Sequence, residues 1–137
     1  MIKSLSIIFP VFNEELRLNS SFIHITNFLK KKKEFKIEII FVDDGSNDRS
    51  YNLITQYIKK SKKNKRITIN VIRSLQNLGK GSALKLGIKS AKYEWILTTD
   101  IDMSVSLFQV CGWIKKKLIN KKYFFYFGTR SHKKSIV

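Results

Sequence analysis

Asp100-Ile101-Asp102 sets two carboxylates at positions i and i+2. In extended backbone such residues share one side of the chain. Two carboxylates side by side repel, and a divalent cation relieves that repulsion. Mg²⁺ or Mn²⁺ prefer such oxygen ligands and complete their shell with phosphates and water. The other three aspartates, Asp43, Asp44 and Asp48, fall in one short segment, Asp43-Asp44-Gly45-Ser46-Asn47-Asp48. Turn chemistry alone accounts for one such Asp-Gly segment, but less well for all five aspartates in two places. Asn77-Leu78-Gly79-Lys80-Gly81-Ser82 is a third candidate. Its glycines and the helix start that follows suit a phosphate, and Lys80 adds a charge. It is neither of the familiar nucleotide loops. The Walker pattern requires an earlier glycine that Ser74 to Leu78 do not contain, and Leu84 stands where the dinucleotide pattern needs its third glycine.

These segments need a frame that brings them together. Leu5 to Phe9 is an apolar run ended by Pro10, which predicts a buried strand. Asn13 is placed to cap a helix with Glu14 and Glu15 in its first turn. Leu18, Phe22, Ile25 and Leu29 form its apolar face. Further strands are predicted at about Lys36–Val42, Arg66–Ile72, Glu94–Thr98 and Tyr123–Phe127. The helices between them run through Leu53–Ile58, Gly79–Ala91 and Leu107–Leu118. Five strands alternating with four helices predict an α/β fold, a mainly parallel sheet with helices on both faces, in a single domain over 1–137. Ligands of such sheets bind at the carboxyl ends of the strands. Both aspartate segments directly follow predicted strands, so they meet at that edge.

Composition narrows the classes. The chain has 137 residues, 27 Lys+Arg against 10 Asp+Glu, and 43% hydrophobic residues, which is enough apolar content for a core. The single cysteine, Cys111, excludes an internal disulfide and a cysteine zinc cluster, and its apolar helix face predicts a buried thiol. No stretch is apolar enough to span a membrane, and no secretory leader is evident, so a cytoplasmic location is expected. The net charge of +17 invites a nucleic-acid reading. Arginine, the usual base-reading cation, contributes only 5 of the 27 positive residues, which argues against specific nucleic-acid recognition. A nucleotidyltransferase also pairs carboxylates with a metal, but Asp43-Asp44-Gly45-Ser46 after the second strand suits it less well. Lysines at 30–33, 59–65 and 115–122 end helices. There they offset the helix dipole, or attract an anionic membrane surface.

Taken together, the segments resemble family 2 glycosyltransferases of the GT-A fold, with a Rossmann-like nucleotide-sugar-binding domain. The similarity is strongest to dolichyl- or polyprenyl-phosphate glucosyltransferases and mannosyltransferases. It rests on Ile8-Phe9-Pro10-Val11-Phe12-Asn13-Glu14, Val42-Asp43-Asp44-Gly45-Ser46, Asn77-Leu78-Gly79-Lys80-Gly81, Thr99-Asp100-Ile101-Asp102-Met103-Ser104 and Gly128-Thr129-Arg130. The resemblance implies that Pro10, Asn13 and Glu14 line the nucleotide pocket, and that Asp43 and Asp44 hold the base and ribose. It implies that Lys80 approaches the diphosphate, that Asp100 and Asp102 sit at the Mg²⁺ or Mn²⁺ and the donor sugar as the catalytic pair, and that Arg130 faces a phosphate. The implied reaction is inverting, metal-dependent transfer of a hexose, from UDP-glucose in the first instance, to a polyprenyl or dolichyl phosphate. It would take place peripherally on the cytoplasmic face of a membrane. Family members continue well beyond Gly128-Thr129-Arg130 into acceptor-side segments, so the acceptor part is expected to be truncated. The alternative is a donor-binding fragment with weak or no activity.

Overall fold

The computed structural model describes residues 1–62 and 64–128. Strand β1 (Ser4–Val11) leads into helix α1 (Glu15–Lys31), then β2 (Lys36–Asp43), α2 (Ser50–Lys60), β3 (Ile67–Arg73), α3 (Lys80–Ser90), β4 (Ile96–Thr98) and α4 (Leu107–Lys115). The four strands form one sheet in the order β3-β2-β1-β4, and every pairing is parallel. Alternation along β1 and β2 divides the core in two. Ile7, Phe9, Ile37, Ile39 and Phe41 face α1, α2 and α4 in the larger cluster. Ile8, Ile40 and Val42 face α3, where Ala83 completes the smaller one. Helices therefore cover both faces, as parallel strands without a wet side require.

Pro10 lies inside β1 rather than ending it. Ser6 N–H donates to Trp95 C=O and Thr99 N–H to Ile8 C=O, so even-numbered residues of β1 face β4. The nitrogen of Pro10 points the same way, past Thr98, where β4 has already stopped. The missing N–H therefore forfeits no ladder bond.

Two expectations are corrected. Tyr123–Phe127 does not form a fifth strand. The only edge open to it on that side is β4, which is three residues long. Tyr123, Phe124, Phe125 and Phe127 stay exposed, and Tyr126 instead ties back locally by donating its hydroxyl to Asn120 C=O. Helix α4 also stops short of Leu118. Lys117 takes a left-handed φ of 56°, and Leu118 N–H closes the end on Trp113 C=O, which turns Leu118 outward.

Candidate functional site

The order β3-β2-β1-β4 reverses direction between β1 and β4, and a crevice opens at the carboxyl ends of those two strands. A cavity of about 350 Å³ occupies it. Pro10, Phe12 and Glu14 from the end of β1, Asp44 from the end of β2, Asn77 and Lys80 from the head of α3, and Asp100 and Asp102 from the end of β4 line it. Six of the residues expected at a nucleotide site, Pro10, Glu14, Asp44, Lys80, Asp100 and Asp102, thus meet around one space.

Each is positioned by a local device. Asp44 is buried, and its two carboxylate oxygens accept from Leu78 N–H (3.0 Å) and Gly79 N–H (2.7 Å). That fixes the 77–79 loop and starts α3 beside the cavity. The loop packs so closely on the end of β2 that only glycine fits at position 45. Gly45 has a φ of +73°, and a Cβ there would lie 2.5 Å from the Gln76 carbonyl carbon. Ile101 anchors the carboxylate pair. Its side chain is buried in the larger cluster, and its carbonyl accepts from Ser21 Oγ of α1. With Ile101 pointing inward, Asp100 and Asp102 both face the cavity, although a turn already begins at Ile101. Asp102 Oδ1 accepts from Ser104 N–H at 2.9 Å, and Asp100 Oδ1 lies 2.6 Å from Lys80 Nζ.

Asn13 and Asp43 do not line this cavity. Asn13 adopts a φ of 51° and is not the cap of α1. That position is Glu14, which makes no side-chain cap. The amide oxygen of Asn13 instead accepts from Asn47 N–H and Asp48 N–H, tying β1 to the loop before α2. Capping passes to Asp48, whose carboxylate accepts from Glu15 N–H (3.1 Å) at the head of α1 and Ser50 N–H (2.9 Å) at the head of α2. Glu15 reciprocates by accepting from Arg49 N–H. Partial burial alone would push the Asp48 carboxyl up, but the hydrogen bonds from Ser50 and Glu15 outweigh it and hold the carboxyl below its ordinary value.

Asp43 is fully buried behind the cavity, and neither of its carboxylate oxygens has a hydrogen-bond partner. Arg73 Nε approaches Oδ2 at 3.2 Å as an ion pair, without hydrogen-bond alignment. The Arg73 guanidinium also stacks 4.3 Å above the Tyr51 ring. Sequence reasoning did not single out Arg73 or Tyr51, and it noted Phe12 and Asn77 only as parts of motifs. Arg73 and Phe12 had a usable signal: each lies at or just past the carboxyl end of a strand. Arg130 lies outside the described residues. Cys111 is buried as expected, and that burial, despite nearby Lys32 and Lys115, pushes its thiol up.

Among the described residues no three His, Cys, Asp or Glu side chains converge as a metal cage. The donor set fits a different kind of ion site. Asp100 and Asp102 are hard oxygen donors on one wall, suited to a Mg²⁺ or Mn²⁺ that takes its other ligands from phosphate and water.

The family model of glycosyl transferase family 2 matches residues 6–108, a span that contains all of the sheet but the first two residues of β1, and every described cavity residue. The chain belongs to glycosyltransferase family 2. A dolichyl-phosphate beta-glucosyltransferase of Dictyostelium discoideum is 39% identical over 102 residues, covering 72% of this chain and 30% of that protein. The mouse enzyme of the same name is 36% identical over 104 residues, covering 73% and 31% respectively. This chain thus spans about a third of the length of the curated relatives it matches. Among solved structures, a mannosyltransferase from Pyrobaculum calidifontis in complex with GDP-Man and Mn²⁺ superposes with a TM-score of 0.63 at 19% identity, over 74% of this chain and 28% of that one. S. aureus TarS 1–349 in complex with UDP gives a TM-score of 0.60 at 22% identity, over 82% and 32%. These two likenesses establish the GT-A fold of this family 2 chain.

Proposed function

We propose that this chain binds a nucleotide-sugar donor in the β1/β4 cavity and serves transfer of a hexose to a dolichyl or polyprenyl phosphate. The observation that carries the reading is the convergence of Glu14, Asp44, Lys80, Asp100 and Asp102 on one 350 Å³ space at the sheet's switch point. The names of the curated relatives favour the glucosyl donor and the lipid-phosphate acceptor. The Mn²⁺ and GDP-Man in one neighbour and the UDP in another favour a metal and a nucleotide as the ligands.

In this reading Asp100 and Asp102 hold the cation, and Lys80 meets the diphosphate. Asp44 meets the base and ribose, while Asp43, buried and off the cavity wall, supports that side through its ion pair with Arg73. A bound Mg²⁺ or Mn²⁺ would neutralise the charge that develops on the departing nucleoside diphosphate. The residues around the cavity orient the anomeric carbon so that an acceptor phosphate oxygen attacks it from the face opposite the leaving oxygen. The new C–O bond forms as the bond to the diphosphate breaks, and the anomeric centre inverts. A lipid phosphate is already anionic, so this attack needs no carboxylate base. The lysines that end α1, α2 and α4 would draw the chain toward the anionic surface that carries such an acceptor.

Calorimetric titration with UDP-glucose and with GDP-mannose, each with and without Mn²⁺, tests the donor half. Saturable, Mn²⁺-dependent binding of one of them is expected, and absence of binding to both would overturn the reading. Asp102→Asn should abolish the Mn²⁺ dependence while leaving the fold intact. Asparagine keeps the oxygen that accepts from Ser104 N–H.

A further inference from the structure

Helix α3 begins with a cation at its unfavourable end. Lys80 is its first residue, directly after the N-cap Gly79, and the first turn holds no acidic side chain. The helix dipole opposes a positive charge there. What compensates is Asp100, whose Oδ1 lies 2.6 Å from Lys80 Nζ. This contact bridges 20 residues and joins the head of α3 to the end of β4. Among the described residues, it commits the one ammonium lining the cavity to one of four carboxylates there, the others being Glu14, Asp44 and Asp102. Both partners are well exposed, at 61% and 50%, so the pair is weak enough to exchange.

That pairing has a consequence for ligands. A diphosphate entering alone meets a lysine already neutralised, and beside it the carboxylates of Asp102, of Glu14, which pairs with Arg17, and of Asp44, which two backbone N–H groups hold. A divalent cation entering alone finds Asp100 already engaged by a positive charge. Either ligand by itself must break the ion pair and leave one partner stranded. Arriving together they exchange partners: the ammonium passes to phosphate, and Asp100 passes to the cation.

We infer that the Lys80–Asp100 ion pair is a latch that makes a divalent cation and a nucleoside diphosphate bind this cavity interdependently. The inference rests on the donor-binding reading above. By linkage the effect is reciprocal, each ligand tightening the other by the same factor.

The test is UDP binding to the full chain by calorimetry, in a two-by-two cycle of Lys80→Met and Asp100→Asn without metal. Mn²⁺ binding without nucleotide is followed in parallel by the electron paramagnetic resonance signal of the free ion. Asp100→Asn frees Lys80 and should tighten metal-free UDP binding by about fivefold, the scale of an exposed ion pair. In the Lys80→Met background the same substitution should give no gain. Lys80→Met alone should tighten Mn²⁺ binding, and Lys80→Arg, which keeps a cation, should not. An equal gain from Asp100→Asn in both backgrounds would mean that the carboxylate merely repels the diphosphate, and would overturn the latch. If wild type binds UDP with Mn²⁺ enhancement while the cycle is additive, the latch fails and donor binding stands. If no variant binds UDP with or without Mn²⁺, both fail.

Discussion

At the residue scale, the carboxylates of this chain divide between fastening loops and facing the cavity. Asp44 does both, and its structural share can be measured. It accepts two backbone N–H groups while almost fully buried. Removing it leaves both donors without a partner, and hydrogen bonds to a charged group are worth about 1.5–3 kcal/mol each. Asp44→Ala should therefore lower the unfolding free energy by about 3 kcal/mol in urea titration; a loss under about 1 kcal/mol would show that water replaces the carboxylate freely. Asp48 carries a pH signature. Its folded carboxyl lies below its ordinary value, while in the unfolded chain it returns to about 3.8. Ionised Asp48 thus stabilises the fold above that value, and the stabilisation is lost as pH falls through the lower folded value. Asp48→Asn should flatten the acid limb of stability against pH below about pH 4, leaving the slope near neutrality unchanged. An unchanged acid limb would assign acid sensitivity to other carboxylates. The aspartates were legible in the sequence because five of them crowd two segments of a strongly basic chain. What Asn13 and Asp48 do was not. The cap of α1 comes from a residue 33 positions away, and local spacing carries no trace of a partner that distant.

At the element scale, the alternation of strand and helix was readable because β1 and β2 are long, apolar and bounded by turn residues. The fifth strand failed for a reason that propensity cannot express. Tyr123–Phe127 has strand-forming residues, but a strand also needs an edge to pair with, and β4 offers three residues. Helix α3 shows how packing positions the site. A Cβ on Gly87 would lie 2.5 Å from Ile8 Cγ2, so the helix rests almost directly on β1. That approach brings Lys80 and Ala83, both on α3, to the cavity. Gly87→Ala should cost about 1–3 kcal/mol by overpacking. It should also weaken UDP binding, because the head of α3 is lifted. Ile8→Ala removes the clashing methyl, so the double variant should lose less stability than the sum of the two single losses. Strict additivity would mean that α3 accommodates the methyl by another route.

At the scale of the whole molecule, the basic charge and the cavity are spatially segregated. Among the described residues, four carboxylates gather in the cavity at the carboxyl edge of the sheet, while the chain as a whole carries +17. Lys30, Lys31, Lys59, Lys60 and Lys115 occupy the last turns of α1, α2 and α4, at the opposite edge, where they also offset the helix dipoles. The exposed aromatics Tyr123, Phe124, Phe125 and Phe127 belong to that same edge. Lys121 reaches Glu94 there, and Tyr126 lies against Trp95, both residues just before β4. Lysines beside exposed aromatic rings are the composition of a membrane-interface surface, each lysine contributing ~1 kcal/mol near anionic lipid. No described helix is long and apolar enough to cross a bilayer. Sedimentation with phosphatidylserine-containing vesicles should therefore pull the chain down at low salt and release it at about 0.5 M salt, where the Debye length falls to roughly 4 Å. Because the basic edge and the cavity lie at opposite ends of the strands, UDP and Mn²⁺ should leave vesicle binding unchanged. Replacing Phe124 and Phe125 with serine should weaken it without altering UDP affinity. Binding that disappears when the cavity is filled would place the lipid-facing surface at the carboxyl edge instead, next to Asp100 and Asp102. Absence of binding to anionic vesicles would leave the lysines with the helix dipoles alone.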